Sequence, residues 1–231
     1  MKDLLLECLS IKNSKMLKTK FIIFKSEKAQ NPFAPEWEYI ITEQTVNKIN
    51  YKDLSKFLLK LEKELIKKIK PSNDGYTGLG NKSITSRYKY FNLLNFKNKE
   101  LTKLKKYIIE AHNNLLNNYK IPLPKNLWIQ CWFNVLRKGE KINPHIHGTS
   151  PDSYLGGHLM VQCQETKTVY INPQNQINEP IVYNSNNEEG KLTLFQTCIP
   201  HYTDEQVNKK ERISIAFDLS LKQNNNNFIK L

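Results

Sequence analysis

Arginine is scarce in this sequence. Lysine and arginine together number 35 against 22 acidic residues, for a formal net charge of +13, yet only Arg87, Arg137 and Arg212 are arginines. Clustered basic residues bind nucleic-acid phosphates, but here the lysines are spread along the chain and interleaved with asparagine. The pattern favours a solvated lysine-rich surface over a nucleic-acid-binding patch. Because lysine is the usual cation in this chain, each arginine is expected to serve a role that needs the planar, multidentate donor group of a guanidinium.

Cysteine motifs and long apolar runs are missing as well. Cys8, Cys131, Cys163 and Cys198 are far apart and form no Cys-x-x-Cys pair, which argues against a zinc knuckle or a redox-active dithiol. No run of about 18 apolar residues is present, and the apolar run near the start is too short for a signal-peptide core. We expect reduced thiols and a soluble, cytoplasmic protein without a membrane partner.

Two amphipathic helices are predicted before the chain becomes β-rich. Apolar residues recur at three- and four-residue spacing over 50–71 and again over 99–119, as on the buried face of a helix. Asn50 or Asp53 can cap the first helix, and Asn98 can cap the second. The glycine-rich segment between the helices lacks the spacing of a phosphate-binding motif, so it is interpreted as a plain loop.

After Leu127 the sequence consists of short β-rich segments separated by Gly, Pro and Asn. Strands are predicted at Trp128–Leu136, Gly157–Gln162, Thr168–Ile171, Lys191–Gln196 and Ile213–Leu219. Closely spaced strands with turn signals between them favour a sandwich or a barrel. The two helices are then expected to cover one face of a sheet.

Three of the five histidines have a spacing suited to one metal ion. His145 and His147 are two residues apart, so both can point the same way on an extended chain, and His201 follows a predicted strand by a short turn. Imidazoles arranged in this way can bind iron, copper, zinc or nickel and leave coordination positions open on one side. The alternative is that one or two of them are ordinary surface or hydrogen-bonding histidines.

Arg212 and Ser214 project to the same face of the last predicted strand, while the isoleucines between and beyond them face the other. A guanidinium fork with a neighbouring hydroxyl is a suitable receptor for a carboxylate. An arginine between isoleucines is also costly to bury without an anion. The alternative is a structural ion pair with an acidic residue such as Asp218 or Glu205.

The order of these motifs resembles the iron(II)/2-oxoglutarate oxygenase superfamily, in particular the oxygenases found in bacteria and their tailed phages. The matching motifs, in order, are His145-Ile146-His147, a Gly-Gly strand, Gly190–Phe195, Pro200-His201 and Arg212-Ile213-Ser214. Segment 74–94 adds to the resemblance, which covers about residues 50–219. For a phage-encoded protein, the expected compartment is the host cytoplasm.

The resemblance implies a mainly β fold with supporting helices, a cupin-like jelly roll or double-stranded β-helix. It implies one Fe(II) on His145, His147 and His201, and 2-oxoglutarate with its far carboxylate on Arg212 and Ser214. The implied reaction is hydroxylation of an unidentified substrate with release of succinate and carbon dioxide. The expected segments of this single domain are 1–49 with short strands, 50–120 as helical support, 121–221 as the catalytic core and 222–231 as a frayed tail.

The sequence departs from the superfamily pattern at one metal ligand. That pattern has His-x-Asp or His-x-Glu where this chain has His145-Ile146-His147, so either His147 is the ligand, which we favour, or Asp152 takes its place. We expect His158 to point away from the metal and Asn134 to contact the substrate or cosubstrate. Alternative functions are a zinc- or ligand-binding jelly roll without oxygenase activity and an oxygenase acting on nucleic acid.

Overall fold

Ten β-strands form in the residues that the computed structural model describes, namely 18–148, 152, 154–174 and 181–231. The first five are β1 (Lys20–Lys25), β2 (Glu38–Thr45), β3 (Trp128–Leu136), β4 (Leu155–Gln162) and β5 (Lys167–Ile171). The others are β6 (Val182–Asn186), β7 (Lys191–Gln196), β8 (His201–Thr203), β9 (Arg212–Ser220) and β10 (Ile229–Lys230). All five strands predicted after Leu127 are present, with ends that differ by at most two residues.

The strands are arranged in two antiparallel sheets. The larger has the order β1-β2-β7-β4-β9-β3-β10, and the smaller has the order β6-β5-β8. An isolated antiparallel bridge between His145 and His201 continues the smaller sheet beyond β8. Most neighbours in the larger sheet are distant in sequence, as expected for a jelly roll. The fold is therefore mainly β, as predicted.

Two long helices support the larger sheet. The helical segments are α1 (Tyr51–Lys68), α2 (Lys99–Asn118) and two short 3₁₀ turns at Thr85–Tyr90 and Leu93–Asn95. Asn50 and Asn98 cap the two long helices, because each side chain accepts a hydrogen bond from a backbone N–H of the first turn. Neither helix in the described part of the chain is long and apolar enough to cross a lipid bilayer.

The two faces of the larger sheet carry different side chains, because successive side chains on a strand point to opposite faces. On β9, Ile213, Ile215 and Phe217 are fully buried and pack in one cluster with the apolar faces of α1 and α2. The residues between them point towards the smaller sheet and line a cavity. A second apolar cluster, which includes Tyr170 and Phe195, joins the two sheets beside that cavity.

The end of the chain is ordered, contrary to the expected frayed tail. Strand β10 pairs with β3, where Ile229 lies opposite Ile129, and Phe228 is buried. Asn92 donates a hydrogen bond from Nδ2 to the carbonyl of Asn227 at 2.7 Å. The apolar residues of the tail therefore add an edge strand to the larger sheet.

The predicted division into segments stays a prediction. Strands β1 and β2 lie before residue 50. Both belong to the same sheet as the later strands, so the larger sheet extends beyond the predicted core on both sides. Cys8 lies outside the described residues. Cys131, Cys163 and Cys198 are free thiols.

Candidate metal centre

The backbone brings His145 and His147 next to His201. The N–H of His145 donates to the carbonyl of His201 at 3.1 Å, and the N–H of His201 donates back to His145 at 3.0 Å. The N–H of His147 donates to the carbonyl of Thr197 at 3.0 Å. These three bonds hold the loop after β3 against the turn before β8, so two distant parts of the sequence form one site.

The three imidazoles converge, as the sequence predicted. One potential ligand atom from each ring lies within 4.8 Å of those from the other two. The ring centroids of His145 and His201 are 4.3 Å apart, and those of His147 and His201 are 5.1 Å apart. Three imidazole nitrogens at this spacing can hold one metal ion and leave other coordination positions open.

Hydrogen bonds at Nδ1 set the same tautomer in all three rings. Nδ1 of His145 lies 2.9 Å from the carbonyl of Asn143, and Nδ1 of His201 lies 3.1 Å from the carbonyl of Ile199. Nδ1 of His147 lies 2.5 Å from Oδ1 of Asp218. Carbonyl and carboxylate oxygens accept hydrogen bonds, so each Nδ1 carries the proton. Each Nε2 therefore keeps its lone pair for a metal ion.

Burial keeps two of these rings neutral at physiological pH. Burial is the main cause that lowers the pKa of His145 to about 4, with a smaller effect of His147. Burial likewise lowers the pKa of His201 well below its usual range. A neutral imidazole is the form that binds metal, so these two rings can bind a cation without first losing a proton.

A cavity of about 550 Å³ lies between the two sheets, with the three histidines in its wall. This volume is within the range of small-molecule sites, about 300–1,000 Å³. Its mouth is marked by solvent-exposed lining residues, namely Asn73, Tyr76, Lys89 and Ile146. Its closed end is marked by buried polar residues, among them Thr168, Thr203, Arg212 and Ser214.

Arg212 brings an unpaired positive charge to the closed end. The residue is only 2% exposed, and its Nη2 donates to Oγ1 of Thr168 at 3.2 Å. Nε and Nη1 are buried without a hydrogen-bond partner among the described residues. Burial lowers the pKa of Arg212 to about 10, so the guanidinium is still charged at neutral pH. The ion pair with Asp218 considered from the sequence is absent, because Asp218 contacts His147 instead.

The guanidinium groups of the other two arginines have hydrogen-bond acceptors. Arg87 donates to the carbonyls of Ile69, Asn81 and Ser83. Arg137 forms two parallel hydrogen bonds, of 3.0 Å and 2.7 Å, with the carboxylate of Glu62. Of the three arginines, Arg212 is therefore the one with two buried, unsatisfied donors. A carboxylate ligand would supply the missing hydrogen-bond acceptors.

Ser214 and Asn134 lie beside Arg212 in the cavity wall. Asn134 accepts a hydrogen bond at Oδ1 from the hydroxyl of Thr85 at 2.8 Å, and its Nδ2 lies 3.5 Å from Oγ of Ser214. The bond from Thr85 fixes the orientation of the amide. The predicted group of Arg212, Ser214 and Asn134 thus shares one cavity with the histidine triad.

His158 also lines this cavity, although the sequence suggested that its side chain points away from the site. Its Nε2 hydrogen-bonds the hydroxyl of Tyr170 at 2.7 Å, and its Nδ1 is buried without a partner among the described residues. Burial, assisted by the charge of Arg212, lowers the pKa of His158 to about 3. His158 is not one of the three converging histidines.

Asp152 does not belong to the converging group either. Its carboxylate is 52% exposed and lies 2.7 Å from Nζ of Lys222. The structure therefore gives no support to Asp152 as a replacement for His147.

Sequence reasoning missed several residues of the cavity. Trp132 belongs to the apolar core, yet its ring centroid lies 5.8 Å from that of His147 and it lines the cavity. Residues 73–77 of the segment interpreted as a plain loop form part of the wall. The position of Asp218 could have been predicted from the sequence. It continues the two-residue alternation of Arg212 and Ser214 along one strand, which places it on the same face.

The fold and the site define the class of this protein, a jelly roll suited to non-haem metal chemistry. Residues 130–218 match the sequence model of the family described as "Putative 2OG-Fe(II) oxygenase". This segment contains the triad, Arg212 and Ser214, and its match supports the resemblance to the 2-oxoglutarate/iron(II) oxygenase superfamily that the motifs predicted. The bacterial and phage subgroup stays a prediction. No curated protein sequence matches the chain significantly.

Similarity to one solved structure supports the same fold. The non-heme alpha-ketoglutarate-dependent carbocyclase SnoK from nogalamycin biosynthesis has a TM-score of 0.51 and 10% identity, over 78% of this chain and 79% of that one. A Pseudomonas putida prolyl-4-hydroxylase has a TM-score of 0.43 and 12% identity, over 55% of this chain and 68% of that one. A 2OG-Fe(II) oxygenase family oxidoreductase from Burkholderia pseudomallei has a TM-score of 0.37 and 17% identity, over 44% of this chain and 48% of that one. This chain thus spans about half the length of the Burkholderia protein.

Proposed function

We propose that this protein is an Fe(II)- and 2-oxoglutarate-dependent dioxygenase that hydroxylates a substrate and releases succinate and carbon dioxide. One observation carries the proposal: the buried, unpaired guanidinium of Arg212 lies in the same cavity wall as three converging imidazoles. The cavity therefore offers a cation site and a carboxylate site together. A metal-chelating dicarboxylate needs both, so the residues present fit iron(II) and 2-oxoglutarate.

The proposed roles follow from the free atoms of each side chain. His145, His147 and His201 would hold the iron through Nε2, the nitrogen that their hydrogen bonds leave available. Arg212 and Ser214 would bind the far carboxylate of 2-oxoglutarate, because a guanidinium with free donors can form a bidentate, charge-assisted pair with a carboxylate.

The chain itself contributes binding, orientation and electrostatics. Three neutral ligands leave the metal centre with one more positive charge than a set with a carboxylate would, which strengthens its attraction for an anionic cosubstrate. Asn134, oriented by Thr85, is a candidate contact for the cosubstrate or the substrate. When bound, iron(II) with 2-oxoglutarate would supply the oxidation, in which one atom of molecular oxygen enters a substrate C–H bond and the other enters succinate.

A zinc enzyme is the competing function, since three histidines also form catalytic zinc sites. A zinc hydrolase has no evident use for a carboxylate receptor buried in the same cavity. Arg212 therefore favours the oxygenase.

Binding of 2-oxoglutarate tests the proposal before any substrate is known. We expect calorimetric titration of the Mn(II)-loaded wild type to show binding, and Arg212→Lys to weaken it more than about tenfold, because lysine keeps the charge but loses the fork. Arg137→Lys is the matched control, as it makes the same change outside the cavity, and its affinity should equal that of the wild type. Equal affinity in the Arg212→Lys variant would contradict the proposed carboxylate site.

Turnover is the second test. Succinate is measured with iron(II), ascorbate and a broad panel of candidate substrates, for the wild type and for His201→Ala. We expect succinate release by the wild type alone. No release above background by the wild type, or equal release by both, would contradict the proposed function.

A further inference from the structure

Asp218 lies on the cavity side of β9, where it follows Arg212, Ser214 and Ala216 at two-residue intervals. Its backbone pairs with Gly156 of β4 on one side and with β3 on the other. The side chain is 25% exposed. Asp218 is thus held in the middle of the larger sheet, on the same face as the proposed 2-oxoglutarate receptor.

The contact between Asp218 and His147 is the shortest of the three Nδ1 contacts in the triad. Its 2.5 Å compares with 2.9 Å for His145 and 3.1 Å for His201, whose partners are neutral backbone carbonyls. The His147 side chain is only 6% exposed. A short bond between a buried imidazole and a carboxylate is charge-assisted and therefore stronger than the two bonds to carbonyls.

Gly156 leaves room for this contact. A Cβ atom at position 156 would lie 2.9 Å from Nδ1 of His147 and 2.9 Å from Cε2 of Phe195, closer than real Cβ atoms approach. Strand β4 therefore presents bare backbone at the one point where the His147 ring must reach Asp218. Two independent features, a carboxylate and a missing side chain, serve the same orientation of one ring.

We propose that Asp218 is a positioning residue that acts on the metal ion through His147. His147 stands where the superfamily pattern has a carboxylate ligand, and among the three histidines it is the one that donates to a carboxylate. A carboxylate behind a ligating imidazole fixes the tautomer and increases the basicity of the ligand nitrogen. Asp218 thereby supplies, one residue removed from the metal, the negative charge that the sequence lacks at position 147.

This inference rests on the proposed function, so its test begins with the metal alone. Co(II) is titrated into the metal-free full chain and followed by calorimetry and by visible absorption, which reports the ligand field. We expect Asp218→Asn, which keeps an oxygen acceptor but loses the charge, to weaken Co(II) binding by about 10- to 100-fold. Asp152→Asn is the matched control, because it removes one carboxylate from the exposed ion pair with Lys222, and its Co(II) affinity should stay within about twofold of the wild type, a change of less than 0.5 kcal/mol.

The ring tautomer gives a readout that a purely structural role would not move. Long-range ¹H–¹⁵N spectra of the metal-free protein should show the Nδ1–H form of His147 in the wild type and a mixture of tautomers in Asp218→Ala. The signal is assigned from its loss in His147→Gln. Circular dichroism checks that each variant is folded.

The outcomes separate this inference from the proposed function. A wild type that binds no Co(II) would overturn the metal centre itself and the role of Asp218 with it. A wild type that binds Co(II), together with an Asp218→Asn variant of equal affinity and an unchanged tautomer in Asp218→Ala, would overturn the role of Asp218 alone. Equal losses in Asp218→Asn and Asp152→Asn would also overturn it, since they would indicate a general effect of charge.

Discussion

The guanidinium of Arg212 reaches from the larger sheet to the smaller one, where Nη2 donates to Oγ1 of Thr168 at 3.2 Å. This is the only hydrogen bond that the Arg212 side chain makes with the described residues, since Nε and Nη1 have no partner there. A buried charge with so few partners costs folding free energy. The ligand-free protein therefore carries a local instability that a bound carboxylate would relieve.

Arg212→Met is accordingly expected to stabilise the ligand-free protein. Methionine fills a similar volume without a charge, and replacing buried charged groups by apolar ones raises stability by about 1–3 kcal/mol in favourable cases. Urea unfolding measures this change. Adding 2-oxoglutarate to the Mn(II)-loaded proteins should then stabilise the wild type more than the variant, because only the wild type keeps the carboxylate receptor. A variant less stable than the ligand-free wild type would contradict the interpretation of Arg212 as an unpaired charge.

Gly156 and its neighbour Gly157 give a second prediction, because they face opposite sides of β4. In Gly156→Ala the new methyl group would press on His147 and Phe195, so we expect Co(II) affinity to fall at least about tenfold, as for a lost outer contact of a metal ligand. In Gly157→Ala it would meet the Phe217 ring at 2.4 Å. That overpacking should lower stability by about 1–3 kcal/mol.

The two glycine variants are controls for each other. Co(II) titration and urea unfolding are measured on both, and the loss of affinity should dominate in Gly156→Ala while the loss of stability dominates in Gly157→Ala. The same profile in both variants would show that Gly156 serves general packing and not the orientation of His147.

The fold and much of the site followed from local sequence patterns. Alternation along β9 correctly separated Arg212 and Ser214 from the isoleucines, because a strand sends neighbouring side chains to opposite faces. An asparagine before an apolar helical repeat marks a first turn, so Asn98 was the predicted cap of α2, and Asn50 was one of two candidates, with Asp53, for α1. These features depend on a few consecutive residues.

Contacts set by strand pairing were not predictable in the same way. The bond between Asp218 and His147 depends on the register that places Asp218 opposite Gly156, and a register between distant strands is not written in either strand alone. The prediction of a frayed tail was wrong for the same reason. Its asparagine run suggested fraying, whereas Ile229 pairs with Ile129 far away in the sequence.

The ion pair of Arg137 with Glu62 supports a third prediction. Glu62 on α1 has a side chain only 2% exposed, while that of Arg137 at the end of β3 is 49% exposed. Arg137→Met would leave a buried carboxylate uncompensated, so we expect a loss of about 2 kcal/mol, reduced from the value for fully buried pairs because Arg137 is half exposed. Urea unfolding measures it. Adding Glu62→Leu to Arg137→Met should restore part of the lost stability. An Arg137→Met variant as stable as the wild type would show that the ion pair does not contribute to stability.

His112 supports the last prediction, on the pH dependence of stability. His112 is 1% exposed, and its Nε2 hydrogen-bonds the hydroxyl of Tyr154 at 2.7 Å. Burial lowers the pKa of His112 in the folded protein, so below its unfolded pKa of about 6.5 the unfolded chain binds the extra proton and is favoured by about 1.4 kcal/mol per pH unit. His112→Gln should lose stability less steeply from pH 6.5 downwards, by up to about that slope. This is checked by urea unfolding of both proteins between pH 7.5 and about 5. The carboxylates of the two proteins titrate alike, so a difference in slope reports His112. Parallel plots of unfolding free energy against pH would mean that His112 does not contribute to acid sensitivity.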